Sequence, residues 1–423
     1  MYFDDFITLH NRSIGTRRSL CGHALRGEID GAAARELGEL SAEIDALCDP
    51  DGALRLDTPG GPIATHARYE RTELRRDALL AAEGFDAIIA EASHVRGGST
   101  FAEASRSPDG STLAGASHTP GGSTLAEAEM LAESLCGQRF ARFITDRDGT
   151  VNGYCARYAT AVQPAWAALC LTRFVESCCE RSVMLTAGPL RGPGIVDLST
   201  MPAGAMVLAA SKGREYRRED GDEGAQPLPE AGAAALERFT TAVTSLHAEE
   251  RYRIFAYVGS GLQIKHGMVA VGYQDTAGTV PRELAAEYRR RLEEAIAGSD
   301  PDRTLLGVED TGREMEVALR EGSDGHHGFD KGDGVQWLDS ALRLQLAGNR
   351  VLVCGDTASD VPMVERATAL GARVTAIFAG AGEAVRERVG EAAAEAFFVD
   401  SYEALLLGLY MMVPEDEHEY EVV

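Results

Sequence analysis

The chain has 423 residues and carries 66 acidic against 41 basic side chains, a net charge of −25 at pH 7. That surplus of carboxylates argues against a nucleic-acid or anionic-membrane surface as partner, because both would be repelled. Eight cysteines without paired spacing, no recognisable signal peptide and no 18-residue apolar run point away from a disulfide scaffold or a membrane span and lead to a cytoplasmic expectation.

Residues 1–92 read as a mostly helical N-terminal region, with apolar residues at three- and four-residue spacing over 32–47 and 70–90. No catalytic motif stands out there. Residues 93–140 contain a repeat of period 12, in which Gly98-Ser99-Thr100-Phe101-Ala102-Glu103-Ala104 returns at Gly110 and again at Gly122. A solenoid needs more mass per unit, so the stretch reads as a Gly/Ser-rich linker.

Chemistry begins at the apolar run Phe143-Ile144-Thr145, read as a buried strand that ends in Asp146-Arg147-Asp148-Gly149-Thr150. Two carboxylates two positions apart suit phosphoryl transfer: one attacks phosphorus and the other exchanges a proton with the leaving oxygen. Cys178-Cys179 follows on a predicted amphipathic helix, lacks zinc spacing and reads as core packing. The next strand, Ser182-Val183-Met184-Leu185, ends in Thr186-Ala187-Gly188, a hydroxyl and small residues able to meet a phosphate oxygen.

Downstream, Met206-Val207-Leu208-Ala209-Ala210 leads into Ser211-Lys212-Gly213-Arg214-Glu215, and Met315-Glu316-Val317-Ala318-Leu319 reads as a later strand. His326-His327 lies in a Gly-rich loop, where a solvated turn is the commoner role. Asp330-Lys331-Gly332-Asp333-Gly334 opens a helical pattern, so Lys331 is expected just before a helix start, where anions are favoured. Val351-Leu352-Val353-Cys354 then runs into Gly355-Asp356-Thr357-Ala358-Ser359-Asp360, whose acids, with Asp146, offer the hard oxygens that Mg²⁺ prefers. Further strands are expected around 373–378 and 397–400, and the acidic end from 414 is expected to pack lightly.

Only three of the 41 basic residues are lysines, namely Lys212, Lys265 and Lys331. The arginine bias and acid excess suggest a salt-adapted source, although mutational bias gives the same pattern. Lysines kept in such a chain are expected where a compact ammonium is needed, which places Lys212 and Lys265 at the same cavity as Lys331.

In order, these segments resemble the four motifs of the haloacid dehalogenase superfamily of phosphotransferases. Asp146 and Thr186 are 40 residues apart, whereas Thr186 and Lys331 are 145 apart, so the resemblance implies a cap of the second type inserted between them. The entry at 206–215 and the exit at 315–319 are similar to those of trehalose- and sucrose-phosphate phosphatases. In the trehalose enzymes an aromatic or aliphatic residue usually stands at Arg147 and a histidine at Lys212, so the resemblance stops short of the sugar.

The resemblance implies an α/β fold: a doubly wound, mostly parallel Rossmann-like core with an inserted α+β cap and the helical N-terminal extension. Its expected divisions are a first core part at 141–210, a cap at 211–327 and a second core part at 328–423. It implies Asp146 as nucleophile, Asp148 as acid and base, Thr186 and Lys331 on the phosphate, and Mg²⁺ on Asp146, the Asp148 carbonyl, Asp356 and Asp360. Arg147, Ala187, Gly188, Lys212, Glu215, Gln263, Lys265 and Glu309 are the expected substrate-binding set. The expected substrate is an osmolyte precursor such as trehalose 6-phosphate or glucosylglycerol phosphate, with a glycosyltransferase (synthase) as possible partner. A phosphomutase or a non-catalytic subunit of a biosynthetic complex, with the N-terminal region as interaction arm, are the alternatives.

Overall fold

The computed structural model describes residues 1–94, 123–275, 278–321 and 327–414. The first two copies of the repeat, His326 and the acidic end of the chain lie outside the described residues.

The N-terminal region folds as α1 (Phe3–Leu25), α2 (Gly31–Asp45), a hairpin of β1 (Ala53–Leu56) and β2 (Ile63–His66), α3 (Arg68–Glu83), α4 (Phe85–His94) and, past the repeat, α5 (Thr124–Ser134). The helix expected over 32–47 is α2. The one expected over 70–90 divides into α3 and α4 at Gly84, whose φ of 87° would strain any residue with a Cβ. The hairpin is a departure from the helical expectation, because two four-residue strands are too short to show a period. Ser123, from the third repeat copy, accepts a hydrogen bond from the Ala126 amide and so caps α5.

The core follows with β3 (Phe140–Thr145), α6 (Ala165–Cys178), β4 (Cys179–Leu185), α7 (Ile195–Leu198), β5 (Val207–Ala210), β6 (Glu215–Arg217) and β7 (Glu223–Ala225). An insertion contributes α8 (Glu230–Ala248), β8 (Leu262–Lys265), β9 (Met268–Gly272), α9 (Arg282–Ser299), β10 (Leu306–Asp310), β11 (Glu314–Glu321) and β12 (His327–Gly328). The chain returns through α10 (Lys331–Leu342), β13 (Arg350–Gly355), α11 (Val361–Ala369), β14 (Arg373–Ala379), α12 (Glu383–Ala392), β15 (Glu395–Val399) and α13 (Tyr402–Met411).

The core sheet has the order β15-β14-β13-β3-β4-β5-β6-β7, parallel from β15 to β5 and antiparallel beyond. This is the α/β core that the strand and helix alternation predicts. Two corrections follow. Residues 215–217 and 223–225 belong to the core sheet rather than to an insertion beginning at 211, because β6 pairs with β5. Cys178 and Cys179 do not share a helix; the first ends α6 and the second opens β4.

Both faces of the central strands are apolar, as a sheet covered on each side requires. Phe143, Met184, Leu352, Cys354 and Ile377 pack toward α6, α13 and the N-terminal helices, with Phe143 edge-on to Phe174 at 5.3 Å. Ile144, Val183, Leu185, Val351, Val353 and Phe378 pack toward α10 and α11.

The N-terminal region is fastened to this core by buried charge as well as by apolar contact. Helix α3 carries Tyr69, Glu70, Glu73 and Asp77 on one face, all buried. Unpaired, such carboxylates would destabilise the fold by several kcal/mol each. Here Glu73 accepts from the Trp166 indole at 2.6 Å and the Tyr402 hydroxyl at 3.0 Å, and Asp77 accepts from the Trp166 amide at 3.1 Å. Arg17 of α1 lies 2.6 Å from Asp77. Burial pushes the Asp77 carboxyl up to about 6 against the pull of that arginine. Arg18 donates to the carbonyls of Val196, Asp197 and Ser199. Residues 1–94 thus pack on the core instead of extending from it as an arm.

The insertion forms a second sheet of order β10-β11-β9-β8, with β12 on β11. One face is apolar, through Val269, Val271, Met315, Val317 and Leu319, and packs against α8 and α9. Antiparallel register then puts Gln263, Ala270, Glu316 and Glu309 in one row of the opposite face, with Lys265 and Glu314 beside them.

Candidate active site

β3, β4 and β13 are adjacent, and their carboxyl ends carry three of the four motifs. Cys354 pairs with Thr145, and the Asp146 amide donates to the Cys354 carbonyl at 2.9 Å, so Asp146 leaves the sheet beside the 356–360 loop. Crevices beyond the carboxyl ends of parallel strands are where open α/β sheets bind ligands. The fourth motif arrives by α10. Asp330 caps it, accepting from the Asp333 amide while Asp333 accepts from that of Asp330.

Lys331 is the first residue of that helix, one place further in than the sequence suggests. A cation in a first turn opposes the helix dipole, so its position is set by its partners. Its ammonium donates to Asp146 Oδ1 and to Asp360 Oδ1, each at 2.5 Å, and all three side chains are buried. Burial works to lower the lysine, and the two carboxylates outweigh it and hold it protonated. Asp360 also accepts from the amides of Asp356 and Thr357 at 3.1 and 3.0 Å, and against its burial Lys331 holds it below the usual carboxylate range.

Burial pushes Asp146 up to about 7; Lys331 opposes this, and Asp360 and Asp148 add to it. Asp356 is raised by burial and by Asp146 and Asp360. Carboxylate oxygens of Asp146, Asp356 and Asp360 lie within 4.8 Å of one another. One ammonium serves two of these three acids, and the set of hard oxygens fits a divalent cation, which would relieve the repulsion that raises Asp146 and Asp356. Gly149 has a φ of 93°, and a Cβ there would strike Asp356, so the Asp-x-Asp-Gly turn admits no other residue at this point.

Thr186 closes β4, with its hydroxyl oxygen accepting from the Gly188 amide at 3.1 Å, and Ala187 and Gly188 complete the turn. The Lys212 amide donates to the Thr186 carbonyl at 2.9 Å, so the 211–213 turn and the Thr186 turn are one structure. That turn also sits on the start of α10, where Gly334 lets the Lys212 carbonyl approach the helix backbone.

Lys212 and Lys265 converge. Their ammonium groups lie 3.6 and 3.8 Å from the two carboxylate oxygens of Glu316. Burial outweighs Glu316 and Glu314 and lowers Lys265, while Glu314 is raised by its own burial. Gln263 and Glu309 share that face of the sheet, and Glu309 is exposed on it.

Two residues of the expected substrate-binding set have partners inside the fold. Arg147 is only 1% exposed; its guanidinium donates to Asp148 Oδ1 at 2.5 Å and to the Ala161 carbonyl and lies over the Tyr158 ring. It braces Asp148, and its guanidinium is turned into the fold and shielded from solvent. Glu215 accepts from the Ser211 hydroxyl at 2.6 Å and the Leu190 amide at 3.3 Å and so braces the turn.

Three site residues escape the sequence reading. Tyr154 donates to Asp356 Oδ2 at 2.6 Å, which nothing in its neighbourhood in sequence announces. Glu314 and Glu316 had a signal, since acids two apart around Met315 on a strand must share one face.

The family model described as trehalose-6-phosphate phosphatase, C-terminal, matches residues 143–405, from within β3 to within α13. A trehalose-phosphatase of Brugia malayi is 39% identical over 266 residues, which is 61% of this chain and 53% of that one. The alpha,alpha-trehalose-phosphate synthase (UDP-forming) 2 of Caenorhabditis elegans is 29% identical over 382 residues, or 86% of this chain and 29% of that one. The chain thus spans about half or less of the length of these curated relatives. Among solved structures, the C-terminal domain of Candida albicans trehalose-6-phosphate phosphatase covers 68% of this chain and 96% of its own length, at 12% identity and a TM-score of 0.40. Because the family model takes in all four motif segments and the insertion between them, the chain belongs to the trehalose-6-phosphate phosphatase C-terminal family.

Proposed function

We propose that this protein is a Mg²⁺-dependent phosphomonoesterase that hydrolyses a sugar phosphate, trehalose 6-phosphate being the first candidate, through an aspartyl-phosphate on Asp146. The observation that carries the reading is the Lys331 ammonium seated 2.5 Å from both Asp146 and Asp360 at the carboxyl ends of two central strands, with Asp148 two residues beyond Asp146. In the reaction Asp146 attacks phosphorus and the bond to the sugar oxygen breaks, while Asp148 donates a proton to that oxygen. Asp148 then takes a proton from the water that cleaves the acyl phosphate. Thr186 and Lys331 hold the non-bridging oxygens, with Ala187 and Gly188 offering backbone beside them. Asp146, the Asp148 carbonyl, Asp356 and Asp360 would hold Mg²⁺, which supplies positive charge against the phosphate. Phosphate release across a panel of sugar phosphates tests the proposal, with turnover of trehalose 6-phosphate expected; no release from any member would overturn it.

Metal binding should depend on pH with a definite sign. In the cation-free protein Asp146 keeps its proton below about 7, and a ligating carboxylate must lose it. Apparent Mg²⁺ affinity is therefore expected to fall as pH drops through about 7, by up to about tenfold per unit. Titration calorimetry at pH 6 and pH 8 checks this, and equal affinities would count against Asp146 as ligand.

We assign reading of the sugar to Lys212, Lys265, Gln263, Glu309, Glu314 and Glu316. Glu316→Gln removes the charge that both lysines share, so KM for the sugar phosphate is expected to rise about tenfold, the scale of one or two charge-assisted hydrogen bonds. Hydrolysis of p-nitrophenyl phosphate, which lacks the sugar, should hold near wild type. Equal loss on both substrates would remove Glu316 from sugar recognition. The synthase named among the relatives supports a glycosyltransferase as working partner. Co-purification with a trehalose-phosphate synthase from the same cells is the expected result.

A further inference from the structure

We infer that Tyr69, on the first turn of α3 in the N-terminal region, is a positioning residue for Asp148. This rests on the reading of Asp148 as general acid in a phosphatase.

Asp148 is held from two sides, and both contacts fall on Oδ1. Arg147 donates to it at 2.5 Å and the Asn152 amide group, more weakly, at 3.4 Å. Oδ2 is left for proton transfer. The Asn152 main chain closes the loop as well, its carbonyl accepting from the Gly149 amide at 2.6 Å and its amide donating to the Arg147 carbonyl at 2.9 Å. Asn152 is fully buried, so its side chain has no solvent to turn into.

A carboxamide is nearly symmetric in shape, and only its hydrogen-bond partners decide which end faces which neighbour. If it were reversed, Asn152 would present its oxygen to the Asp148 carboxylate, acceptor against acceptor. Tyr69 opposes that. Its hydroxyl donates to Asn152 Oδ1 at 3.0 Å and holds the oxygen end away from Asp148, while the nitrogen end also donates to the Gly153 carbonyl at 3.3 Å; the tyrosine oxygen in turn accepts from the Gly153 amide at 3.2 Å. The ring lies against Gly153 so closely that a Cβ there would run into it.

The hydroxyl is a dependable fixed point because its helix is fixed. One turn of α3 supplies Glu70, which accepts from the Thr160 hydroxyl at 2.7 Å, and Glu73, held by Trp166 and Tyr402. Thr160 lies beyond Asn152 in the same loop, so α3 grips that loop at two places. The N-terminal region therefore serves as the outer wall of the acid's seat.

The test is the full-length Tyr69→Phe variant, which keeps the ring and removes only the hydroxyl. A general acid matters for a sugar alkoxide and little for p-nitrophenolate, which leaves without a proton. The readout is kcat/KM, which covers only steps up to loss of the leaving group. It is expected to fall about tenfold or more on trehalose 6-phosphate and at least several-fold less on p-nitrophenyl phosphate. Asn152→Ala should show the same selective loss, and adding Tyr69→Phe to it should cost little more, because the two act in one chain. Equal losses on both substrates, no loss, or additive losses in the double variant would overturn the inference. A wild-type enzyme inactive on both substrates would instead overturn the phosphatase reading itself.

Discussion

Asp146→Asn is expected to abolish phosphate release, by about 10⁴-fold or more, because an amide can neither attack phosphorus nor carry the covalent intermediate. The fold should tolerate the change. The carboxyl at 146 is already pushed up to about 7 by its burial, so a neutral group of the same shape is close to the state the protein favours below that pH. Lys331 keeps Asp360 as its partner, and the Thr150 hydroxyl, 3.2 Å from Asp146 Oδ2, can donate to an amide oxygen as it does to the carboxylate. Melting temperature should stay within a few degrees of wild type, the scale of about 1 kcal/mol in a chain of this size. The informative comparison is with Asp148→Asn, expected to lose about 10²- to 10⁴-fold on the sugar phosphate while retaining a slow phosphorylation step. Phosphate release by Asp146→Asn at more than a trace would withdraw the nucleophile assignment. A large fall in melting temperature would mean that the loss had come from unfolding.

How much of this was legible in the sequence depends on whether a residue's role lies along the chain or across it. Asp146, Asp148, Thr186, Asp356 and Asp360 each close an apolar strand or stand in the loop just after it. A buried strand announces itself by composition, and the loop behind it is where an α/β sheet presents side chains. Lys331 could be read from a helix start, although the residue count was one place out, since a cap is visible only as geometry. The core sheet was legible for the same reason, up to its antiparallel extension: β6 and β7 have three residues each and no period to detect.

Roles that depend on direction were not legible. Arg147 lies between two site aspartates in sequence, and its side chain turns away into the fold to meet the Ala161 carbonyl. Glu215 follows the turn it braces, which looks in sequence like a position facing a ligand. The largest omission was α3. Acids at 70, 73 and 77 look like the solvated side of an amphipathic helix, the usual place for charge. They can be buried because Trp166, Thr160, Tyr402 and Arg17, up to 329 residues away along the chain, give each of them a hydrogen-bond or ion-pair partner. Three- and four-residue spacing showed that this helix has two faces, and it could not show that the charged one faces inward.

Lys331→Met should produce the largest loss of stability of any single change at the site, together with loss of turnover. The side chain keeps its length and its fit in a buried channel, so the effect isolates charge. Without the ammonium, Asp146, Asp356 and Asp360 face one another within 4.8 Å. Removing one partner of a buried ion pair typically destabilises by about 3–5 kcal/mol, a large part of the roughly 5–15 kcal/mol that holds a domain together. Urea unfolding at pH 8 in the presence of a chelator is expected to show that loss as a lower midpoint. The sign of the pH dependence follows from Asp360, which Lys331 now holds below the usual carboxylate range. In the variant that restraint is gone, so Asp360 rises toward its two neighbours, which are already high, and the folded state takes up protons that the unfolded chain does not. A group protonated in the folded form and ionised in the unfolded one favours folding as pH falls. The deficit of the variant relative to wild type should therefore shrink between pH 8 and pH 5. Mg²⁺ should narrow it as well, by supplying charge to the same oxygens, and without restoring turnover, because a metal at the carboxylates does not replace the ammonium on the phosphate oxygen. A midpoint unchanged at pH 8, or a deficit that grows on acidification, would show that these carboxylates do not depend on Lys331.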